Sequence, residues 1–392
     1  MDFVIIGNPW HFGGDNPTSK HQIALELAAQ NHRVLWINAA GMRVPSLGSG
    51  ADRKRIIERL LLACRGLDRV MENIWVLSPL VLPFPRSRLA RCLNEWIYRL
   101  TAWRGICRLR LSRPVLISFF LLVPEMIRQW ADTSIYYCVD KWDAFGRYDS
   151  VTMAEMNRRS CTAADIVLAS SSVIFNEIKI YNSRTYLVPH GVKYEHFHKV
   201  LESETVTARS GKKPVDLPEG KIIGFFGLLD ERVDKDLVVR VAGECSGSKV
   251  VLLGKADSDV SWMHKEPNII WLGAKSFDVL PEYVAGFTVG IIPYAVNAQT
   301  MAINPVKLLE MMAAGCPVVS TDLPEVKKYG SAGAWEQRSN GVAIGRDQAE
   351  FVRLVKERLE KPLTPDEQRV LSMSVSGETW SVRVKQILEL IG

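Results

Sequence analysis

Short runs of β-branched and aromatic residues recur down the whole chain, separated by segments with helical spacing, and that alternation restricts the fold to parallel α/β architecture. FVIIG (3–7), RVLWIN (33–38), IWVLS (74–78), VLISFF (115–120), SIYYCV (134–139), DIVLASS (165–171) and TYLVPH (185–190) read as strands. Helical segments such as 19–31 and 151–163 lie between them, and VPSLGSG (44–50) reads as a loop. The polar segment 190–220 carries Gly and Pro, is read as lacking periodicity, and marks a domain boundary. A second series follows: KIIGFFG (221–227), KVVLLG (249–254), IIWLG (269–273), FTVGIIPY (287–294), PVVST (317–321) and VAIG (342–345). A chain of 392 residues has room for two such domains, each burying its own core. Two similar domains joined by a linker are expected to leave an interdomain cleft, where ligands commonly bind. The expected division is a domain over 1–190, a linker over 191–220, a domain over 221–370 and a final segment over 371–392. The closing SGETWSVRVKQILELIG reads as a helix that starts near Ser376 or Thr379, with Trp380 in a packing role.

Dinucleotide binding needs G-x-G-x-x-G after the first strand and an acidic residue after the second. Here Gly7, Gly13 and Gly14 have the wrong spacing, and the second strand ends in Asn38 followed by two alanines. A Walker A sequence is absent as well. The informative segment is NPVKLLEMMAAGCPVVST (304–321). Asn304 suits an N-cap, Pro305 the first helical turn, and Gly315 the helix end. A helix N-terminus offers free N–H groups and partial positive charge, which suits a phosphate. Lys307 adds a cation in that first turn. Glu310, three residues on, can accept from ribose hydroxyls. The bland alternative is an ordinary i,i+3 surface ion pair between the two.

That segment resembles the donor-site helix of retaining GT-B glycosyltransferases, especially glycosyltransferase family 4 (group 1) enzymes of bacterial polysaccharide biosynthesis. The similarity extends to IIGFFGLLDERVDKDLV (222–238), NIIWLGAKSFDVLPEYVAGFTVGIIPY (268–294), AADIVLASS (163–171) and LVPHGVKYEHF (187–197). It implies two Rossmann-like domains, the second binding a nucleotide-sugar donor, UDP- or GDP-linked, and a final helix that crosses back to the first. The family's helix carries Glu-x7-Glu; here Glu310 is the second glutamate and Ala302 stands at the first. Lys307 then helps to hold the diphosphate. Gly227, after the first strand of the second domain, lets backbone approach the ligand. Many relatives place an arginine next; Leu228 stands there, leaving Arg232 and Lys235 as substitutes or as solvated charges. The nucleobase is expected near Gly273 to Ser276.

In the first domain the opening loop GNPWHFGGDNPTSKHQ is glycine-rich, and the resemblance makes His11, Gly13 and Gly14 candidates for acceptor or sugar contact. A turn capped by Thr18 or Ser19 is the other reading. Asp140 ends SIYYCVD and precedes KWDAF, so its carboxylate lies at the carboxyl end of a parallel strand, where it can orient or deprotonate an acceptor hydroxyl. VDKWDAF also resembles polysaccharide glycosyltransferases; against a catalytic role, Asp140 or Asp143 can cap the next helix. Retention of configuration, no metal and no cofactor are expected, as is a lipid-linked or saccharide acceptor. The alternatives are a UDP-sugar 2-epimerase of similar fold and a non-catalytic nucleotide-sugar-binding subunit.

Charge is uneven. Residues 1–200 carry 26 Lys and Arg against 17 Asp and Glu, whereas the remainder carries 23 against 26. Within 43–113 the balance is 15 basic to 5 acidic. The stretch 86–113 places Leu89, Leu93, Trp96, Ile97, Leu100 and Trp103 at helical spacing with arginines between them. Trp and Arg together suit a headgroup region, giving an inner-leaflet membrane surface as one reading and a core-facing helix as the other. Nucleic acid is not expected, since no reader motif accompanies the charge. The first residues read as a strand rather than a signal peptide, and PVLISFFLLV (114–123) is shorter than the roughly 20 residues of a membrane span. Seven scattered cysteines fit a reducing compartment, so a cytoplasmic location is expected, peripheral to the membrane if the contact is made.

Overall fold

Runs that are apolar on both faces belong to strands covered by helices on either side, and the computed structural model builds two parallel sheets from them. It describes residues 1–10, 17–39, 61, 63, 66–82, 88–121, 128–146, 148–202, 214–257, 259–332 and 341–392. These divide into two compact units, Met1–Pro189 with Val384–Gly392, and His190–Arg383.

The first unit holds β1 (Asp2–Gly7), β2 (Arg33–Asn38), β3 (Asp68–Met71), β4 (Ile74–Leu77), β5 (Val115–Ser118), β6 (Ser134–Cys138), β7 (Ile166–Ala169) and β8 (Thr185–Leu187). Their order in the sheet is β3-β4-β2-β1-β5-β6-β7-β8. All neighbours are parallel except β3, which runs antiparallel to β4 and was not expected from sequence. Among the described residues its α-helices are α1 (Ser19–Ala29), α2 (Arg88–Leu109), α3 (Ser150–Ala163) and α4 (Ser172–Ile178). Thr18 caps α1, its N–H donating to His21 Nδ1 at 3.1 Å. Asp149 caps α3 through Thr152 N–H.

The α2 helix corrects one expectation. Leu89, Leu93, Trp96, Leu100 and Trp103 do not face the core: their exposures run from 48% to 84%. Ile97 is half-buried. The opposite side of the helix, Tyr98, Ala102 and Ile106, packs with Val4, Leu35 and Ile37. Gly105 permits that approach, because a Cβ there would lie 2.5 Å from a Leu35 methyl.

The second unit begins with α5 (Tyr194–Glu202), in the segment read as aperiodic. Tyr194, Phe197 and Leu201, spaced i, i+3, i+7, are buried in the unit's core, and the polar residues between them had masked the period. Then come β9 (Ile222–Phe226), α6 (Lys235–Glu244), β10 (Lys249–Leu253), β11 (Ile269–Trp271), α7 (Leu280–Ala285), β12 (Val289–Ile292), α8 (Ala298–Met301), α9 (Val306–Ala313), β13 (Val318–Thr321), β14 (Ser331–Ala332), β15 (Val342–Gly345), α10 (Gln348–Glu360), α11 (Pro365–Met373) and α12 (Trp380–Ile391), whose residues from Val384 onward group with the first unit. The order β11-β10-β9-β12-β13-β15-β14 is wholly parallel. In each sheet the first strand sits centrally, flanked by β2 and β5 around β1, and by β10 and β12 around β9. Connections leave these pairs in opposite directions, and the crevice so formed at the strands' carboxyl ends is where open α/β sheets take ligands.

Candidate functional site

In the second unit three of the residues singled out in sequence, Gly227, Arg232 and Lys307, meet at the carboxyl ends of β9 and β12. The cap of α9 is Pro305, with φ −79° and ψ 101°, one residue later than the expected Asn304. The helix ends as expected. Gly315 at φ +71° donates to Met312 O and Cys316 to Met311 O, the paired bonds of a Schellman close. Lys307, in the first turn, makes no ion pair within 4 Å among the described residues, so it is not the i,i+3 partner of Glu310. Its ammonium donates to Tyr294 Oη at 2.5 Å and lies 4.5 Å from the Phe225 ring centre and 4.8 Å from that of Tyr294. Ring faces attract a cation and hold it without neutralising it, and an ammonium with three donors keeps two for a ligand after Tyr294 takes one.

Gly227 lies directly against this cation. Its φ is +136°, a region L side chains rarely adopt, and a Cβ there would stand 2.6 Å from Lys307 Nζ. The missing side chain thus leaves the ammonium next to bare backbone at the strand end. Arg232 joins the group through Tyr294, its guanidinium 5.9 Å from that ring. Its Nε donates to Asp230 Oδ1 at 2.9 Å, and Nη2 lies 2.7 Å from Oδ2. Sequence reasoning left out Asp230, although an acid two residues before the arginine was the available signal. Lys235, the other substitute, donates instead to the Asp259 carbonyl at 3.2 Å. Gly273, at the end of β11, has φ +70° and open space where a side chain would be. Tyr294 was also missed; it reads as the last residue of an apolar strand.

Glu310, half-buried on α9, has its carboxyl pushed up to about 7 because burial strips water from the charged form, and the nearby Lys307 charge only partly opposes this. An acid whose pKa is higher folded than unfolded holds its proton more tightly when folded. Its contribution therefore favours the fold at low pH and is lost as pH rises from the ordinary carboxylate range through about 7. Glu310→Gln should accordingly raise the thermal midpoint relative to wild type near pH 8 and leave it nearly unchanged near pH 5. An equal difference at both pH values would show that the carboxyl is not desolvated.

In the first unit the corresponding crevice holds Asp140, two residues past β6, with its side chain 35% exposed. Neither Asp140 nor Asp143 caps the following turn: its cap residue is Lys141, without a side-chain bond, and Asp143 pairs with Lys141 at 3.2 Å. Asp140 faces Lys20 at 3.9 Å, and Lys20 also donates to Asn8 Oδ1 at 3.2 Å and stands 5.3 Å from the Phe120 ring centre. Lys20 is only 8% exposed. Burial lowers its pKa, while the Asp140 charge pulls it back up. Asn8, Phe120 and Asp140 follow β1, β5 and β6, and Lys20 opens α1, so an ionic pair lies at the switch point of this sheet. Sequence reasoning missed Lys20. His11, Gly13 and Gly14 lie outside the described residues. Among the described residues no three His, Cys, Asp or Glu side chains group as a metal site requires, and no helix is long and apolar enough to cross a membrane.

Comparison with known proteins agrees with this layout. The Bacillus subtilis (strain 168) protein named "Putative teichuronic acid biosynthesis glycosyltransferase TuaH" is 29% identical over 331 residues, 79% of this chain and 78% of its own. Among solved structures, sucrose-phosphate synthase (tll1590) of Thermosynechococcus elongatus matches with a TM-score of 0.68 at 13% identity, covering 99% of this chain and 98% of that one. Anabaena Alr3699/HepE, in complex with UDP-glucose, matches with a TM-score of 0.66 at 11% identity over 99% and 98%. At such identities the likeness is one of fold. Residues 220–361 match the family described as "Glycosyl transferases group 1". The family match over 220–361 covers the second sheet, and the two Rossmann-like parallel sheets together have the GT-B fold of these structural neighbours.

Proposed function

We propose that the protein transfers a sugar from a nucleotide-diphosphate sugar, UDP- or GDP-linked, to a lipid-linked saccharide in bacterial surface polysaccharide synthesis, with retention and without a metal. The observation that carries this reading is the Lys307 ammonium, held over Phe225 and Tyr294 and against Gly227 at the start of α9. A cation, a helix N-terminus and an exposed strand end together suit a diphosphate. On this reading Glu310 receives the ribose hydroxyls, Arg232 supports the far phosphate and the base lies by Gly273. The UDP and UDP-glucose held by Anabaena HepE, on the same fold, supply the donor class. The Bacillus relative's name, a putative teichuronic acid biosynthesis glycosyltransferase, supplies the product class.

In the transfer itself, charge builds on the leaving diphosphate as the bond to the anomeric carbon breaks. Lys307 and the α9 N–H groups stabilise that charge, which makes positioning and electrostatics the protein's main contribution. Asp140 orients or deprotonates the acceptor hydroxyl. The test is a thermal-shift screen of UDP-, GDP- and dTDP-sugars, followed by transfer to an acceptor extract. One nucleotide should raise the midpoint saturably, by the equivalent of about 2.7 kcal/mol at a hundred times its Kd. No shift with any of them would refute the donor site. A shift with epimerised sugar and no transfer would replace transfer by epimerisation.

A further inference from the structure

The α2 helix presents two faces of opposite use. Tyr98, Ala102, Gly105 and Ile106 fasten it to the sheet, while Leu89, Leu93, Trp96, Leu100 and Trp103 form a stripe on the side turned to water. At 1.5 Å per residue the stripe runs about 21 Å. Leu89 is 84% and Trp96 67% exposed, so these are whole side chains left in solvent rather than the rim of a core. Soluble monomers seldom leave a contiguous apolar strip uncovered, and one that persists marks an interaction surface.

The charges beside it say what covers it. On a helical projection Arg104 and Arg108 lie along one edge of the stripe and Arg99 along the other. Arg104 and Arg108 are exposed, and Arg99 stacks 5.4 Å above the Trp96 ring. Residues 88–109 contain five arginines and a single glutamate. A second copy of the chain seated on this face would bring arginine against arginine. An anionic lipid surface would instead take the Leu and Trp side chains among its acyl chains and pair the arginines with its phosphates.

We propose that this face of α2 is a membrane-docking surface, on which the first unit lies with the helix axis in the plane of an anionic bilayer. Helices of this kind rest in the interface without spanning it. The surface is independent of the donor chemistry, so it is tested without any sugar nucleotide present. Wild-type protein should sediment with vesicles of equal parts phosphatidylglycerol and phosphatidylcholine, and less well as salt rises. Trp96→Ser/Leu100→Ser/Trp103→Ser should weaken binding at least about tenfold with an unchanged thermal midpoint, because the side chains removed are exposed. Arg99→Gln/Arg104→Gln/Arg108→Gln should abolish the preference for anionic over purely zwitterionic vesicles. Absence of wild-type binding at low salt would overturn the proposal, as would equal binding by the Ser variant. Self-association of the wild type that the Ser variant loses, without vesicle binding, would reassign the face to contact between copies.

Discussion

Lys307→Met should lower sugar transfer by about 10²–10³-fold, with the loss falling mainly in kcat. Methionine keeps the length of the side chain and packs well against rings, so the contacts with Phe225 and Tyr294 survive while the charge does not. The cation matters most when the leaving diphosphate carries its fullest charge, which is why the transition state suffers more than donor binding. Tyr294→Phe should do less, about tenfold, because it removes one hydrogen bond that aims the ammonium and leaves the ammonium in place. The ratio of the two variants is informative. Comparable losses would mean that Tyr294 contacts donor directly. A loss below about threefold for Lys307→Met would remove the cation from the mechanism.

The frame of both units was legible because central strands covered on both faces read as unbroken apolar runs: β1, β6, β9 and β13 could be placed from composition alone. β3 was not, since Asp68–Met71 is an edge strand of charged and half-exposed residues that an apolar run does not mark. The α5 helix was hidden differently. Its three buried residues are the minimum for a period, and the two histidines, one lysine and one glutamate between them dominate the composition. At the site, the spacing of Lys307 and Glu310 on one helix is local and therefore readable. The contacts of Lys307 are not, because Phe225 and Tyr294 arrive from two other strands and Gly227 from the end of one of them. The high pKa of Glu310 and the low one of Lys20 follow from burial, which sequence fixes only through the whole fold. Lys20 gave one faint signal: a lysine directly after the Thr18 and Ser19 cap candidates, at the end of the glycine-rich opening loop.

Asp140→Asn should reduce transfer by about 10²-fold or more if its carboxylate takes or orients the acceptor proton. It also removes a carboxylate that faces Lys20, so two consequences have to be separated. The pair is 3.9 Å apart, with the Asp140 side chain 35% exposed and that of Lys20 10%. A buried Lys20 can shed its proton instead of staying charged and unpaired, which keeps the stability cost nearer the roughly 1 kcal/mol of a surface pair than the 3–5 kcal/mol of a buried one. Loss of activity without matching loss of stability is therefore the expected pattern. The Lys20 ammonium, already disfavoured by burial, loses the charge that held its pKa up. Its proton then leaves at lower pH, and any activity that depends on the charged form should show an alkaline limb shifted downward in Asp140→Asn. Lys20→Met would have no such limb. If Asp140→Asn is inactive at every pH while Lys20→Met retains most activity, Asp140 is the catalytic residue and Lys20 a positioning one. If both variants fall together and the Asp140→Asn profile shifts, the ion pair acts as a unit in holding the acceptor. Wild-type turnover and an unshifted profile in Asp140→Asn would make the pair a packing feature of the first unit, with the acceptor proton leaving through the diphosphate instead.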